Sequence, residues 1–140
     1  MIPKWIEIAV KELGQHEIAG AGANAHIAEF LTSVGQAGDD EIPWCAAFVN
    51  WCLAQAGELG TGKALAKSYM NWGEHCDPQI GAVAVMDRGI DPNLGHVAFV
   101  LDYQPDVDFV YLLGGNQSNR VGINLKHAEI IKAFRWPVKT

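Results

Sequence analysis

The chain has 140 residues, a length at which one domain buries about two-thirds of its unfolded surface without covalent staples. Hydrophobic residues make up 49% and charged residues only 19%, which excludes a disordered chain. A net charge of −6 excludes nucleic acid as the main partner, because neutralising phosphates takes clustered Lys and Arg; a cationic or zwitterionic substrate stays open.

No run of 18 apolar residues is present, so no transmembrane segment is expected. The N-terminus does not read as a signal peptide either, since Glu7, Lys11 and Glu12 interrupt its apolar pattern. Residues 3–14 are expected to form a first helix from Pro3 to Gly14, burying Trp5, Ile6, Ala9, Val10 and Leu13. A glycine-rich loop follows. Asn24 then caps a second helix to about Ser33, with Ile27, Phe30, Leu31 and Val34 facing the core. Asp39, Asp40 and Glu41 lead into the third helix as a solvated loop or as part of a site rim.

That third helix, residues 43–56, organises the reading. Pro43 suits its first position and Gly57 stops it. Cys45, Phe48, Val49, Cys52, Leu53 and Ala56 share one inward face. Cys45 lies at the N-terminal edge, where free N–H groups and the helix dipole lower a thiol pKa; most free cysteines are otherwise small buried hydrophobes. Cys45 and Cys52 are about 10 Å apart along one helix, beyond the ~7 Å limit for a disulfide; Cys45–Cys76 and Cys52–Cys76 stay open as pairings, and a reduced state is the simpler expectation.

Residues 63–72 read as a short helix aligning Leu65, Tyr69 and Trp72. Strand-like runs then follow at residues 82–86, 95–103, 109–113, 121–125 and 130–136, separated by connectors rich in Gly, Asp, Asn and Pro. The expected class is α+β, a single domain over residues 1–140 in which N-terminal helices pack against an antiparallel meander of about five strands.

A cysteine nucleophile needs a base, and the base needs a group that orients it. His96 opens a strand after Gly95 and Asn116 lies in the turn Gly114-Gly115-Asn116-Gln117; Gln117 and Asn119 compete with Asn116 for the orienting place. Asn116 beside two glycines also fits a plain turn role. His16 and His26 fall in the first two helical segments and His127 in a connector. Cys52, His75, Cys76 and His96 lack the paired spacing of a zinc site, so neither metal nor cofactor is expected. Trp44, Ser68, Tyr69, Trp72 and Gln117 are the candidates for lining a substrate groove.

The ordered motifs, residues 43–49 with Trp44-Cys45, residues 95–100 with Gly95-His96, and Gly114-Gly115-Asn116-Gln117, resemble those of the CHAP and NlpC-type peptidoglycan hydrolases, especially small stand-alone bacterial and phage members. The resemblance covers about residues 41–135. It implies a papain-like core with Cys45 as nucleophile, His96 as base and Asn116 as orienting residue. The implied reaction cleaves an amide in cell-wall peptides, as endopeptidase or N-acetylmuramoyl-L-alanine amidase. Three departures stand out. Trp44 occupies the position before the cysteine where many members carry Gln; the Asp-Cys-Ser and third histidine of NlpC-type members are missing; and Gly81-Ala82 replaces a common Gly-Asp.

Two other readings share these residues: a catalytically silent wall-binding module, and an acyltransferase using the same triad. With bacterial peptidoglycan as partner, the expectation is synthesis in the cytoplasm and action in the periplasm or wall after export, injection or lysis. An immunity or delivery protein would be the further partner.

Overall fold

The computed structural model describes residues 2–16, 24–36, 44–91, 93–117 and 119–138. Pro43, the acids Asp39, Asp40 and Glu41, and most of the glycine-rich loop after His16 lie outside the described residues.

Three helices come first, α1 (Lys4–Lys11), α2 (Ala25–Thr32) and α3 (Cys45–Gln55). The Asn24 side chain accepts the N–H of His26 at 2.8 Å and of Ile27 at 3.2 Å, which satisfies two donors that α2 cannot pair internally. Only part of the expected stripe of α1 is inside: Trp5, Ile6 and Ala9 are buried, whereas Val10 and Leu13 are exposed. The helix ends at Lys11, before the stripe completes another turn.

The third helix departs from the one-faced expectation. Its residues from Cys45 to Asn50, with Cys52 and Leu53, are all buried. It lies between the other two helices and the sheet, touching α1, α2 and two strands, and this enclosure of its N-terminal half buries residues all round there, while Ala54 and Gln55 at its end are exposed. Phe48 forms the junction, its ring 5.2 Å from that of Phe30 on α2 and 6.3 Å from that of Phe99 in the sheet.

Six strands follow: β1 (Glu74–His75), β2 (Val83–Asp87), β3 (Gly95–Gln104), β4 (Phe109–Gly114), β5 (Gly122–His127) and β6 (Ile131–Trp136). Five of them are the expected runs, and the two-residue β1 is too short to carry a periodic signal. All pairings are antiparallel, in the order β1-β6-β2-β3-β4-β5. The arrangement is α+β, but the meander covers only β2 to β5. Strand β6 returns to the free side of β2, where Val83 pairs with Arg135. That return takes β2 off the edge of the sheet, so that β2 and β3, whose ends carry the site, are both interior strands.

Alternation along the strands builds two cores. Val83, Val85, Val97, Phe99 and Leu113 pack with the helices, while Ala82, Ala84, Ala98, Val100 and Leu112 pack on the other face. Ala82 is fully buried there, so the acid common at this position in related motifs has no place in this chain. Residues 63–72 form a 3-10 helix over Ala66–Asn71 rather than an α-helix. Tyr69 is buried beneath it, with its hydroxyl 3.3 Å from the Thr61 N–H.

Candidate active site

Cys45 is the first residue of α3. Trp44 precedes it without giving the helix a side-chain cap, so donors at the helix start stay available to the sulfur and to whatever approaches it. Trp44 itself is fully buried, packed against Phe30 with ring centroids 6.1 Å apart, and offers no surface to a substrate. Its indole N–H has no hydrogen-bond partner among the described residues.

His96 is the second residue of β3 and pairs in register with Met86 of β2. Its ring hydrogen-bonds Cys45 on one side. On the other side its Nε2 lies 2.9 Å from Oε1 of Gln117. The amide of Gln117 is tied down as well, with Nε2 donating to the carbonyls of Leu112 at 3.2 Å and Gly122 at 2.8 Å. With both amide N–H groups used, only its oxygen can face the histidine. Nε2 of His96 therefore carries a proton and donates, which leaves Nδ1 as the ring atom turned to the thiol.

Two glycines make this possible. A Cβ on Gly114 would stand 2.9 Å from Oε1 of Gln117 and 2.8 Å from Cβ of Ala98. One on Gly115 would stand 2.7 Å from Cβ of Phe48 and 2.8 Å from the Trp44 ring. The turn after β4 thus closes onto α3 and Trp44 because Gly115 has no side chain, and Gln117 folds back against the sheet because Gly114 has none.

The residue hydrogen-bonded to the His96 ring is Gln117, the neighbour of the expected Asn116. Asn116 has φ of 59°, a left-handed conformation that Asn tolerates well, and it supplies the bend that aims Gln117 inward. Both alternatives were visible in the sequence, and the burial of Gln117 separates them.

The electrostatics follow from these contacts. Burial pushes the Cys45 thiol up, but the hydrogen bond and charge of His96, with the backbone N–H groups of Val97 and Ala46, outweigh it and hold the thiol below its ordinary value. Burial would depress His96, yet its bonds to Cys45 and Gln117 and the thiolate charge raise it above an ordinary imidazole, while Arg88 opposes the rise. A thiolate beside an imidazolium is the state these shifts favour. Cys52 behaves oppositely: burial, and then the charge of Glu12, drive its thiol well above the ordinary value.

Cys45 opens into a cleft of about 500 Å³ walled by Ala64, Leu65, Ala66 and Leu94, with Gln36, Asn93 and Arg88 among its polar residues. His96 opens with Asn116 and Gln117 into an adjoining polar lobe of about 320 Å³ that Arg88 also lines. The remaining groove candidates lie elsewhere. The hydroxyl of Ser68 is paired with Thr61 at 2.8 Å. Tyr69 is in the core. Trp72 donates to the Leu59 carbonyl at 3.0 Å and lines a separate hollow with Gly57 and Pro137. Aromatic spacing in a helical segment signals core packing, and Tyr69 and Trp72 follow that rule, the first fully buried and the second packed against the core. Among the described residues no three His, Cys, Asp or Glu side chains cluster as metal ligands, and the three cysteines are free.

The profile of the CHAP domain matches residues 37–116, more than half of the chain and the whole span from before Cys45 to the turn at Asn116. No curated protein matches the chain.

Proposed function

The chain belongs to the CHAP domain family, whose members are generally cysteine- and histidine-dependent amidases or peptidases, and on that premise we propose that it is a peptidoglycan hydrolase using Cys45, His96 and Gln117. The observation that carries this reading is the continuous chain of hydrogen bonds from the Cys45 thiol through the His96 ring to a Gln117 amide that has only one way to face.

In the proposed reaction the Cys45 thiolate attacks the carbonyl carbon of an amide in a cell-wall peptide. The tetrahedral oxyanion forms beside the uncapped N–H groups at the start of α3, with Gln36 and Asn93 as the amide-bearing residues of the cleft wall. The imidazolium of His96 gives its proton to the leaving amine, and the acyl group stays on sulfur. Water, deprotonated by the now neutral ring, attacks the thioester and restores the free thiol. Gln117 touches no substrate in this scheme; it keeps the ring in the one tautomer and orientation that serve both steps. The cleaved wall is outside the cytoplasm, so the reading places the protein there when it acts.

The test is turnover of purified peptidoglycan, with released muropeptides identified by mass spectrometry. Wild type is expected to release new amino termini and Cys45→Ala none. Full activity in Cys45→Ala overturns the reading. Transfer of the acyl group to an added amine in preference to water would move the same triad to the acyltransferase reading.

A further inference from the structure

Arg88 stands where the two lobes of the cleft meet, lining both the lobe of Cys45 and the lobe of His96. It is exposed, and its backbone N–H is fastened to the Leu94 carbonyl at 3.2 Å, which fixes the turn that presents it. The neighbouring carboxylates are engaged elsewhere. Asp87 is paired with Lys67 at 2.6 Å and Lys132 at 3.7 Å, and Asp91 accepts the Asn93 N–H at 2.9 Å. Among the described residues no carboxylate forms an ion pair with Arg88.

The guanidinium charge works against the site as it stands, because it disfavours the imidazolium that the thiolate needs. An anion bound at Arg88 would remove that opposition. A guanidinium presents paired N–H donors that match a carboxylate with two parallel hydrogen bonds.

We infer that Arg88 is the substrate-recognition residue of this cleft and that the peptide cleaved carries a free carboxylate close to the scissile amide. The inference rests on the proposed function and deepens it. A bound carboxylate would also cancel the opposing charge, so that the imidazolium is favoured most when the correct substrate is in place.

The test uses two small alkylating reagents of almost equal shape, iodoacetate and iodoacetamide, with modification at Cys45 read by peptide mass spectrometry. In both, the thiolate forms a sulfur–carbon bond and iodide leaves with the electron pair of the carbon–iodine bond. The iodoacetate-to-iodoacetamide rate ratio in wild type is expected to exceed that of glutathione and to fall as salt is added. It should drop about 5- to 10-fold in Arg88→Ala and recover in part in Arg88→Lys. An equal ratio in wild type and Arg88→Ala overturns the inference and leaves the catalytic reading intact. Slow reaction of wild-type Cys45 with both reagents overturns the catalytic reading, and this inference with it. Matched wall peptides ending in a carboxylate or its carboxamide should show the same preference, with the lower KM for the carboxylate; equal KM values again overturn the inference.

Discussion

Gln117 and His96 are joined at 2.9 Å by a hydrogen bond whose direction is set from the far side, by the two carbonyls that hold the glutamine amide. The glutamine is 5% exposed, so little of its amide faces the polar lobe and its partners are protein atoms. A side chain buried and fully bonded in this way rotates only by breaking all three contacts.

Replacing Gln117 should therefore do two things at once. Gln117→Ala frees the ring and leaves the Leu112 and Gly122 carbonyls without their side-chain donor, so we expect hydrolysis to fall about 10- to 100-fold and unfolding free energy by about 1–3 kcal/mol. Gln117→Glu keeps the acceptor and adds a charge that favours imidazolium, so its Cys45 reactivity should persist to higher pH than in wild type. Asn116→Gly should leave both quantities near wild type, because only the left-handed bend is at stake. Activity assays with denaturant melts on the three variants distinguish the two neighbours; a larger catalytic loss in Asn116→Gly than in Gln117→Ala would reverse the assignment.

The pH profile follows from the opposite shifts of Cys45 and His96. The thiol loses its proton below the ordinary 9.0 and the ring keeps its proton above the ordinary 6.5. Both shifts favour the ion pair, since the thiolate forms at lower pH and the imidazolium persists to higher pH than in the isolated side chains: acid removes the thiolate and base removes the imidazolium. Cys45 alkylation by iodoacetamide should already be fast at neutral pH, and hydrolysis should be bell-shaped. In His96→Ala only burial and two backbone N–H groups act on the sulfur, so its titration should move upward. An unchanged alkylation profile in that variant would remove the base assignment.

Much of this arrangement could be read from residue order. Cys45 at a helix start and His96 at a strand start are local signals, each set by a few neighbours along the chain. The partner of His96 was not local: whether Asn116 or Gln117 turns inward depends on the left-handed bend at Asn116 and on the carbonyls of Leu112 and Gly122, which belong to the flanking strands. The return of β6 to β2 was hidden for the same reason, since a strand's period tells which face is buried and nothing about which neighbour it pairs with. Trp44 misled in the other direction. Its position beside the nucleophile suggested a groove, but an indole there is what fills the space under Gly115.

The Gly114-Gly115 turn should be intolerant of any side chain. In Gly115→Ala the new methyl meets Cβ of Phe48 and the Trp44 ring, neither of which is a flexible end that can step aside. We expect a loss of about 1–3 kcal/mol by denaturant melt. In Gly114→Ala the methyl meets Ala98 and the glutamine oxygen, so hydrolysis should fall further than in a variant of equal stability altered elsewhere. Wild-type turnover in Gly114→Ala would show that Gln117 need not stay where it is.

The last expectation separates two cysteines on one helix. Cys52 is fully buried two turns beyond Cys45, with its thiol pushed well up by burial and then by Glu12. Nothing there stabilises a thiolate, so native protein treated with iodoacetamide should be modified at Cys45, and at the half-buried Cys76 more slowly, while Cys52 stays free until unfolding. Cys52→Ala removes one sulfur from a packed core and should cost about 1 kcal/mol with hydrolysis retained. Cys52→Ser places a hydroxyl at the same apolar spot, where desolvation costs about 1–3 kcal/mol, so it should be the less stable of the two. Thermal melts and peptide mapping of both variants check the order; modification of Cys52 in the folded protein at a rate near that of Cys45 would mean that helix position and the histidine contact do not set thiol reactivity here.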